Sequence, residues 1–285
     1  MGTSRSSTGP GPGVPLVPPW VPDPMPPETP ADAGSGDDTN GGDEQVQPAQ
    51  PASVPQPVPK APAGRFGPAR TSLGSFARTG SSDDMRRGLG HYARKGYGGA
   101  ATAARRMGGT ARTAGALYGA LTSAAAGQAV APESPFDPAL LAGSSADEIM
   151  DALVEVVRPV DGTQDAETGR AAIRNALSEL LSRFPDANLL DLSEDQRLFA
   201  IERYVALDVY SRFSLDVGKT VKDRAPSASA ALSRLKDVKD YIKQTVSARF
   251  RDLRKAGEQL GARRISEMAR QALQDAFAVF EEYVL

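Results

Sequence analysis

The 285-residue chain contains no cysteine, one histidine (His91) and one tryptophan (Trp20). The missing thiols exclude a disulfide framework, a thiolate zinc site, an iron–sulfur cluster and a cysteine nucleophile. One imidazole rules out a histidine-rich metal site, and a Ser-His-Asp arrangement has only that ring to draw on. His91 lies in Gly90-His91-Tyr92-Ala93-Arg94, flanked by bases, with Asp83 or Asp84 as the nearest carboxylates to orient it, so catalysis is not expected there. Gly218-Lys219-Thr220 has the ending of a phosphate-binding loop. That loop needs another glycine five residues earlier, where this chain has Phe213. Carboxylate pairs such as Asp147 with Asp151, or Glu281 with Glu282, fall among Lys and Arg on faces expected to be wet. Neither enzymatic activity nor a cofactor or metal is expected. Lack of cysteine suits a reducing cytoplasm, and no basic stretch followed by an apolar core marks a secretory signal at the start.

The charge that is present is unevenly placed. The net charge of −2 is a cancellation of blocks. Residues 1–59 hold one basic residue against seven acidic ones, residues 60–112 hold eleven Lys or Arg against Asp83 and Asp84, and residues 113–285 are net acidic. The composition follows the same divisions. Sixteen of the 23 prolines lie in residues 1–62. Residues 1–63 are therefore expected to be a disordered acidic tail, with too few large apolar groups to offset the entropy of ordering. One apolar island, Val14 to Trp20, interrupts it. Leu16, Val17, Pro18, Pro19 and Trp20 are candidates for recognition by a partner groove; a chance cluster in a tail is the alternative.

Residues 64–131 read as a basic, Gly- and Ala-rich, partly helical segment. Ser82 or Asp83 is expected to cap a helix from about Asp84 to Lys95, interrupted by Gly96, Gly98 and Gly99. Arg86, Arg87, His91, Tyr92, Arg94, Lys95, Arg105 and Arg106 are the docking candidates. The bases offer charge to phosphates, aromatics offer faces for stacking and glycines offer close backbone approach. An acidic protein surface is the competing partner. Between Arg112 and Glu133 lie twenty uncharged residues, long enough to span a bilayer. Their Ala, Gly, Ser and Thr content argues for a buried or partner-facing helix, and Gly115 with Gly119 forms a small-xxx-small pair suited to close packing.

Residues 132–285 read as an α-helical bundle. Ser145 with Glu148 and Ser193 with Gln196 are capping boxes. A helix is expected from about Asp165 to Phe184, and another after Pro226 with Leu232, Leu235, Val238, Ile242, Val246, Phe250 and Leu253 at steps of three or four. A further stripe runs from Leu260 to Phe280. The fold class is therefore mainly α: a long disordered Pro/Gly-rich tail followed by a helical bundle.

Met1-Gly2 is a context in which initiator Met is removed, leaving an α-amine with a pKa near 8. Gly2 is thus a candidate modification site. Met1-Gly2-Thr3-Ser4, Gly9 to Gly13, Pro15 to Trp20, Leu89-Gly90-His91-Tyr92-Ala93-Arg94, Gly98-Gly99 and Ala103-Ala104-Arg105-Arg106 together resemble the QatB family of the bacterial Qat anti-phage system. The resemblance covers roughly residues 1–25 and 64–130. It implies three partners: an ATPase, an enzyme similar to QueC nitrile synthases and a TatD-like nuclease. It also implies a non-enzymatic role in defence, beside a QueC-like enzyme that activates a deazaguanine carboxylate for attack by an amine. The open Gly2 context and the apolar grip at Val14 to Trp20 lead to the expectation that this amine is the one on Gly2. A nucleic-acid-binding adaptor using residues 60–112 and a membrane-acting effector using residues 113–132 are the alternative readings.

Overall fold

Local capping chemistry sets most of the helix boundaries in the computed structural model, which describes residues 64–253 and 260–284. The elements in chain order are α1 (Gly67–Thr79), α2 (Ser82–His91), a π-turn (Tyr92–Tyr97), α3 (Ala100–Arg106), α4 (Gly108–Ala125), α5 (Pro138–Leu141), α6 (Ala146–Val157), α7 (Gln164–Arg183) and α8 (Glu194–Phe213). A second π-turn (Ser214–Gly218), α9 (Lys219–Arg224), α10 (Ala228–Asp252), α11 (Ala262–Glu281) and a closing 3-10 turn (Glu282–Val284) follow. No strand occurs among the described residues. The expected tail at residues 1–63 lies outside them.

Both capping boxes form. The Ser145 amide donates to Glu148 Oε2 at 2.8 Å and the Glu148 amide donates back to Ser145 Oγ at 3.3 Å. Ser193 and Gln196 exchange the same bonds at 2.9 and 3.3 Å. Each satisfies backbone donors that a helix start leaves without a partner. Thr163 and Ser227 cap α7 and α10 through their hydroxyls. The cap of α2 is Ser81 rather than Ser82 or Asp83, so this helix begins two residues before the expected start at Asp84. It also does not stop at Gly96: it loosens into the π-turn and ends at Gly98, whose φ of 83° only glycine adopts readily.

Helix α1 was not expected. Its Ala69, Leu73, Phe76 and Ala77 are all buried, at helical spacing, in a stretch read from its sequence as basic, Gly- and Ala-rich and only partly helical. A single apolar core joins the two halves of the chain. Leu73, Phe76, Leu89, Leu117 and Leu121 belong to the same cluster as Ile173, Leu177, Val205, Phe213 and Phe277. Helix α8 packs against α4, α7 and α10, while α11 packs against α3, α4 and α10. Leu232, expected on the apolar stripe of α10, points outward at 70% exposure; the buried face starts at Ala231 and Leu235.

Several glycines in the basic segment are points of helix contact rather than flexible joints. A Cβ on Gly88 would lie 2.7 Å from Leu73 Cγ, one on Gly90 would lie 2.8 Å from the Phe280 carbonyl, and one on Gly96 would meet the Phe66 ring. In α4, a Cβ on Gly115 would collide with the Ala262 carbonyl and the Ser266 hydroxyl of α11. Ser266 Oγ meanwhile donates to the Ala111 carbonyl at 2.9 Å. The small-residue pair therefore serves helix packing inside the fold, and among the described residues no helix is long and apolar enough to cross a membrane.

Two glycines of α4 give a paired test. Gly115→Ala is expected to lose about 1–3 kcal/mol through overpacking against α11. Gly109, with nothing within 4 Å of its added Cβ, is expected to gain about 0.5–1 kcal/mol as Ala. Urea denaturation of both variants checks the two signs; equal effects would contradict the close approach at Gly115.

Candidate functional site

A group of polar side chains converges where the two π-turns meet. In a π-turn the bonds run from i to i+5, which sets Tyr92 and Tyr97 side by side; in an α-helix they would point well apart. Their hydroxyls donate to the same atom, Asp216 Oδ2, at 3.0 and 3.3 Å. Asp216 belongs to the second π-turn, and its backbone carbonyl accepts from Arg70 Nη2 of α1 at 3.0 Å. The tyrosine rings join Phe66, Phe213 and Phe277 in one aromatic cluster. Three arginines surround it. The Arg65 and Arg70 guanidinium carbons lie 4.8 and 5.9 Å from the Phe66 ring centroid, and that of Arg106 lies 4.9 Å from the Tyr97 centroid.

Two turns of helix earlier, Asp208 is 1% exposed. It accepts from Thr110 Oγ1 at 2.5 Å and from Arg212 Nε at 3.1 Å. Arg212 in turn reaches Asp165 Oδ2 at 3.0 Å. Asp208, Arg212 and Asp216 thus form a polar line at four-residue steps on one side of a largely buried helix.

The electrostatics follow from burial. Desolvation pushes the Asp216 carboxyl above the usual aspartate range, against hydrogen bonds from Tyr92 and Tyr97 and the charge of Arg65, which pull it down. Burial and the neighbouring Asp216 hold both tyrosines neutral, well above their ordinary value. Burial opposes the charge on Arg212, but Asp208 and Asp165 outweigh it and raise its pKa. Arg65 is lowered by burial and then by Arg106. Arg65 Nε and Nη1 and Arg106 Nη1 are buried without hydrogen-bond partners. No group of three or more residues able to hold a metal ion occurs among the described residues. The cluster holds protons in place and ties helices together; it presents no activated nucleophile.

The docking candidates separate into several roles. Tyr92 is 1% exposed, so the expectation of a ring free for stacking is corrected: Phe66, Phe76 and Tyr97 are also in the core. Arg86 lies 5.9 Å from the Tyr283 ring centroid, and Arg94 Nη1 donates to the Val284 carbonyl at 3.0 Å. Both hold the closing turn of the chain. Arg87 pairs with Asp84 at 3.3 Å. His91 is half-buried with Nδ1 unpartnered, and burial, then Arg87 and Lys95, lower its pKa. Arg87, Lys95 and Arg105 are exposed, and Arg106 is half-buried over Tyr97. Gly2, Leu16, Val17, Pro18, Pro19 and Trp20 lie outside the described residues. Asp208, Arg212 and Asp216 were not singled out from sequence. Their signal was an acid-base-acid series at four-residue spacing in the helix that opens at the Ser193 capping box.

A family model described as QatB, Qat anti-phage system associated protein QatB, matches residues 98–280, well over half of the chain. The match runs from the π-turn's end through α11. It overlaps the motifs that suggested the same family only in part, and extends across the helices that looked unspecific in sequence. No curated protein matches the chain, and no solved structure does.

The half-buried Asp216 gives a pH test. A carboxyl whose folded pKa is raised binds more protons folded than unfolded, so stability falls as pH rises from the ordinary aspartate value of about 3.9 through the raised value. Asp216→Asn keeps an acceptor for both tyrosines and removes this titration. The stability of wild type relative to Asp216→Asn is expected to decline with rising pH across that window, read by denaturation at a series of pH values. A rising difference would contradict the burial of the charge.

Proposed function

Because the chain belongs to the QatB family and is a component of the Qat anti-phage system, we propose that it acts there without catalysis of its own, as a protein that its partners bind and modify. Family membership is the observation that carries this reading. The partners are an ATPase, a QueC-like enzyme and a TatD-like nuclease, and the place of action is the cytoplasm. The interior is consistent with such a role: Asp208 is bound to Arg212, Asp216 is held by two tyrosines, and those tyrosines are held protonated.

On this reading the QueC-like enzyme uses ATP to activate a deazaguanine carboxylate as an adenylate, releasing pyrophosphate. The Gly2 amine, freed by removal of Met1, attacks the acyl carbon. AMP leaves, the nitrogen gives up a proton and an amide forms. The island Leu16, Val17, Pro18, Pro19 and Trp20 is the enzyme's grip on the substrate chain, close to the reacting amine in sequence. The helical body supplies the surface on which the other components assemble.

Intact-mass analysis of the protein coexpressed with the three partners tests the proposal. The expected result is an N-terminal peptide lacking Met1 and heavier by one deazaguanine acyl group; a peptide lacking only Met1 would sink the idea. Trp20→Ala is expected to reduce the modified fraction without moving the thermal midpoint. An unchanged fraction would remove the island from the recognition site.

A further inference from the structure

We propose that the groove between α1 and α9 binds the phosphodiester backbone of a nucleic acid strand, a function separate from any modification at Gly2. Arg70, Thr71 and Arg78 of α1 face Thr220 and Arg224 of α9 across it, with Gly74 on its floor. A Cβ at Gly74 would sit 3.6 Å from Arg224 Cγ and 3.7 Å from Thr220 Cγ2. The missing side chain therefore leaves room between the two helices. Helix α1 carries two arginines and no acid, and α9 carries Lys219, Lys222 and Arg224 against Asp223. Asp223 also faces the groove, but its carboxylate is taken by Lys219.

The positive charge in the groove is not neutralised from within the described fold. Arg78 and Arg224 are exposed and no described carboxylate pairs with either. Arg70 is bonded to a neutral carbonyl, that of Asp216. A second observation points the same way. Arg65 shares the Phe66 ring with Arg70, and Arg65 is only 7% exposed, with Nε and Nη1 unpartnered. Arg106 Nη1 also lacks a partner. These guanidinium donors lack hydrogen-bond acceptors although the Asp216 carboxylate is close enough to act on both arginines, so donor capacity beside α1 is left unfilled.

Spacing and chemistry select the ligand. Arg70 and Arg78 are eight residues apart, about 12 Å along a helix, too far to share one phosphate with ease. A nucleic acid strand carries a negative charge about every 3.4 Å of axis and supplies several anions over that length. Guanidinium forks and threonine hydroxyls both donate to phosphate oxygens. Because the nearby aromatics are locked in the core, no ring is offered to bases, and the contact is expected to be independent of sequence.

Fluorescence anisotropy with the full chain and two labelled probes, a 20-nucleotide oligo-dT and a mixed-sequence 20-base-pair duplex, tests the groove. Binding is expected at low salt, with log K falling linearly against log salt concentration. Arg78→Glu combined with Arg224→Glu is expected to weaken binding at least tenfold and to reduce the salt slope by about 1 per side chain. Arg263→Glu combined with Arg270→Glu, which changes charge equally on the exposed face of α11 away from the groove, should stay within about twofold of wild type. Circular dichroism confirms that both variants are folded. No binding by wild type, or loss in the second variant and not the first, overturns the proposal. Displacement by millimolar inorganic phosphate but not by chloride of equal ionic strength would mean a single-phosphate site and overturn the strand. Stronger competition by a poly-glutamate peptide than by unlabelled DNA would mean an acidic protein partner and overturn it too.

Discussion

Asp216 is the point at which the basic first part of the described fold is fastened to the acidic remainder. One carboxylate oxygen holds two tyrosine hydroxyls from the turn after α2, and the same residue's carbonyl holds an arginine from α1. A hydrogen bond involving a charged group contributes about 1.5–3 kcal/mol, and a charge left buried without its partners costs more than that. Once Asp216 is placed inside, Tyr92, Tyr97 and Arg70 have little freedom. The aromatic cluster then closes around them, and the glycines at 88, 90 and 96 let neighbouring side chains and backbone come close enough to exclude water.

Both sides of this junction are built from π-turns, and that geometry is what brings the groups together. Tyr92 and Tyr97 align only if the helix widens between them, and Asp216 sits in the widened turn that links α8 to α9. The basic segment is consequently a built part of the body. Its arginines fall into those that hold the fold, such as Arg70 and Arg94, and those left at the surface, such as Arg78, Arg87 and Arg105. Positive charge that sequence displays as one block is thus divided between structure and surface.

How much could be read in advance depended on the range of the interactions. Ser145 with Glu148 and Ser193 with Gln196 are contacts within one turn, and the stripe from Leu235 to Phe250 is a property of one helix; all were legible. Helix α1 carried the right spacing at Ala69, Leu73, Phe76 and Ala77, but its small and basic residues masked it. The burial of Tyr92 depends on Asp216, 124 residues away, and a π-turn has no sequence signature comparable to a capping box. Thr220 and Arg224 gained meaning only when α9 was seen beside α1; in sequence Thr220 ended a triplet that fails as a phosphate loop, and Arg224 was not singled out. Family membership was legible from motifs in residues 1–25 and 64–130, whereas the family match extends through α11.

The central claim is that α1 through α4 fold as one unit with α7 through α11, fastened at Asp216, and amide hydrogen exchange of the full chain tests it most directly. Residues that open only with global unfolding share one protection energy. The account predicts that interior amides of α1, α2 and α4 exchange with the same free energy as those of α8 and α11, and that all respond together to denaturant. Amides of α1 and α2 exchanging orders of magnitude faster, with α8 still protected, would contradict it.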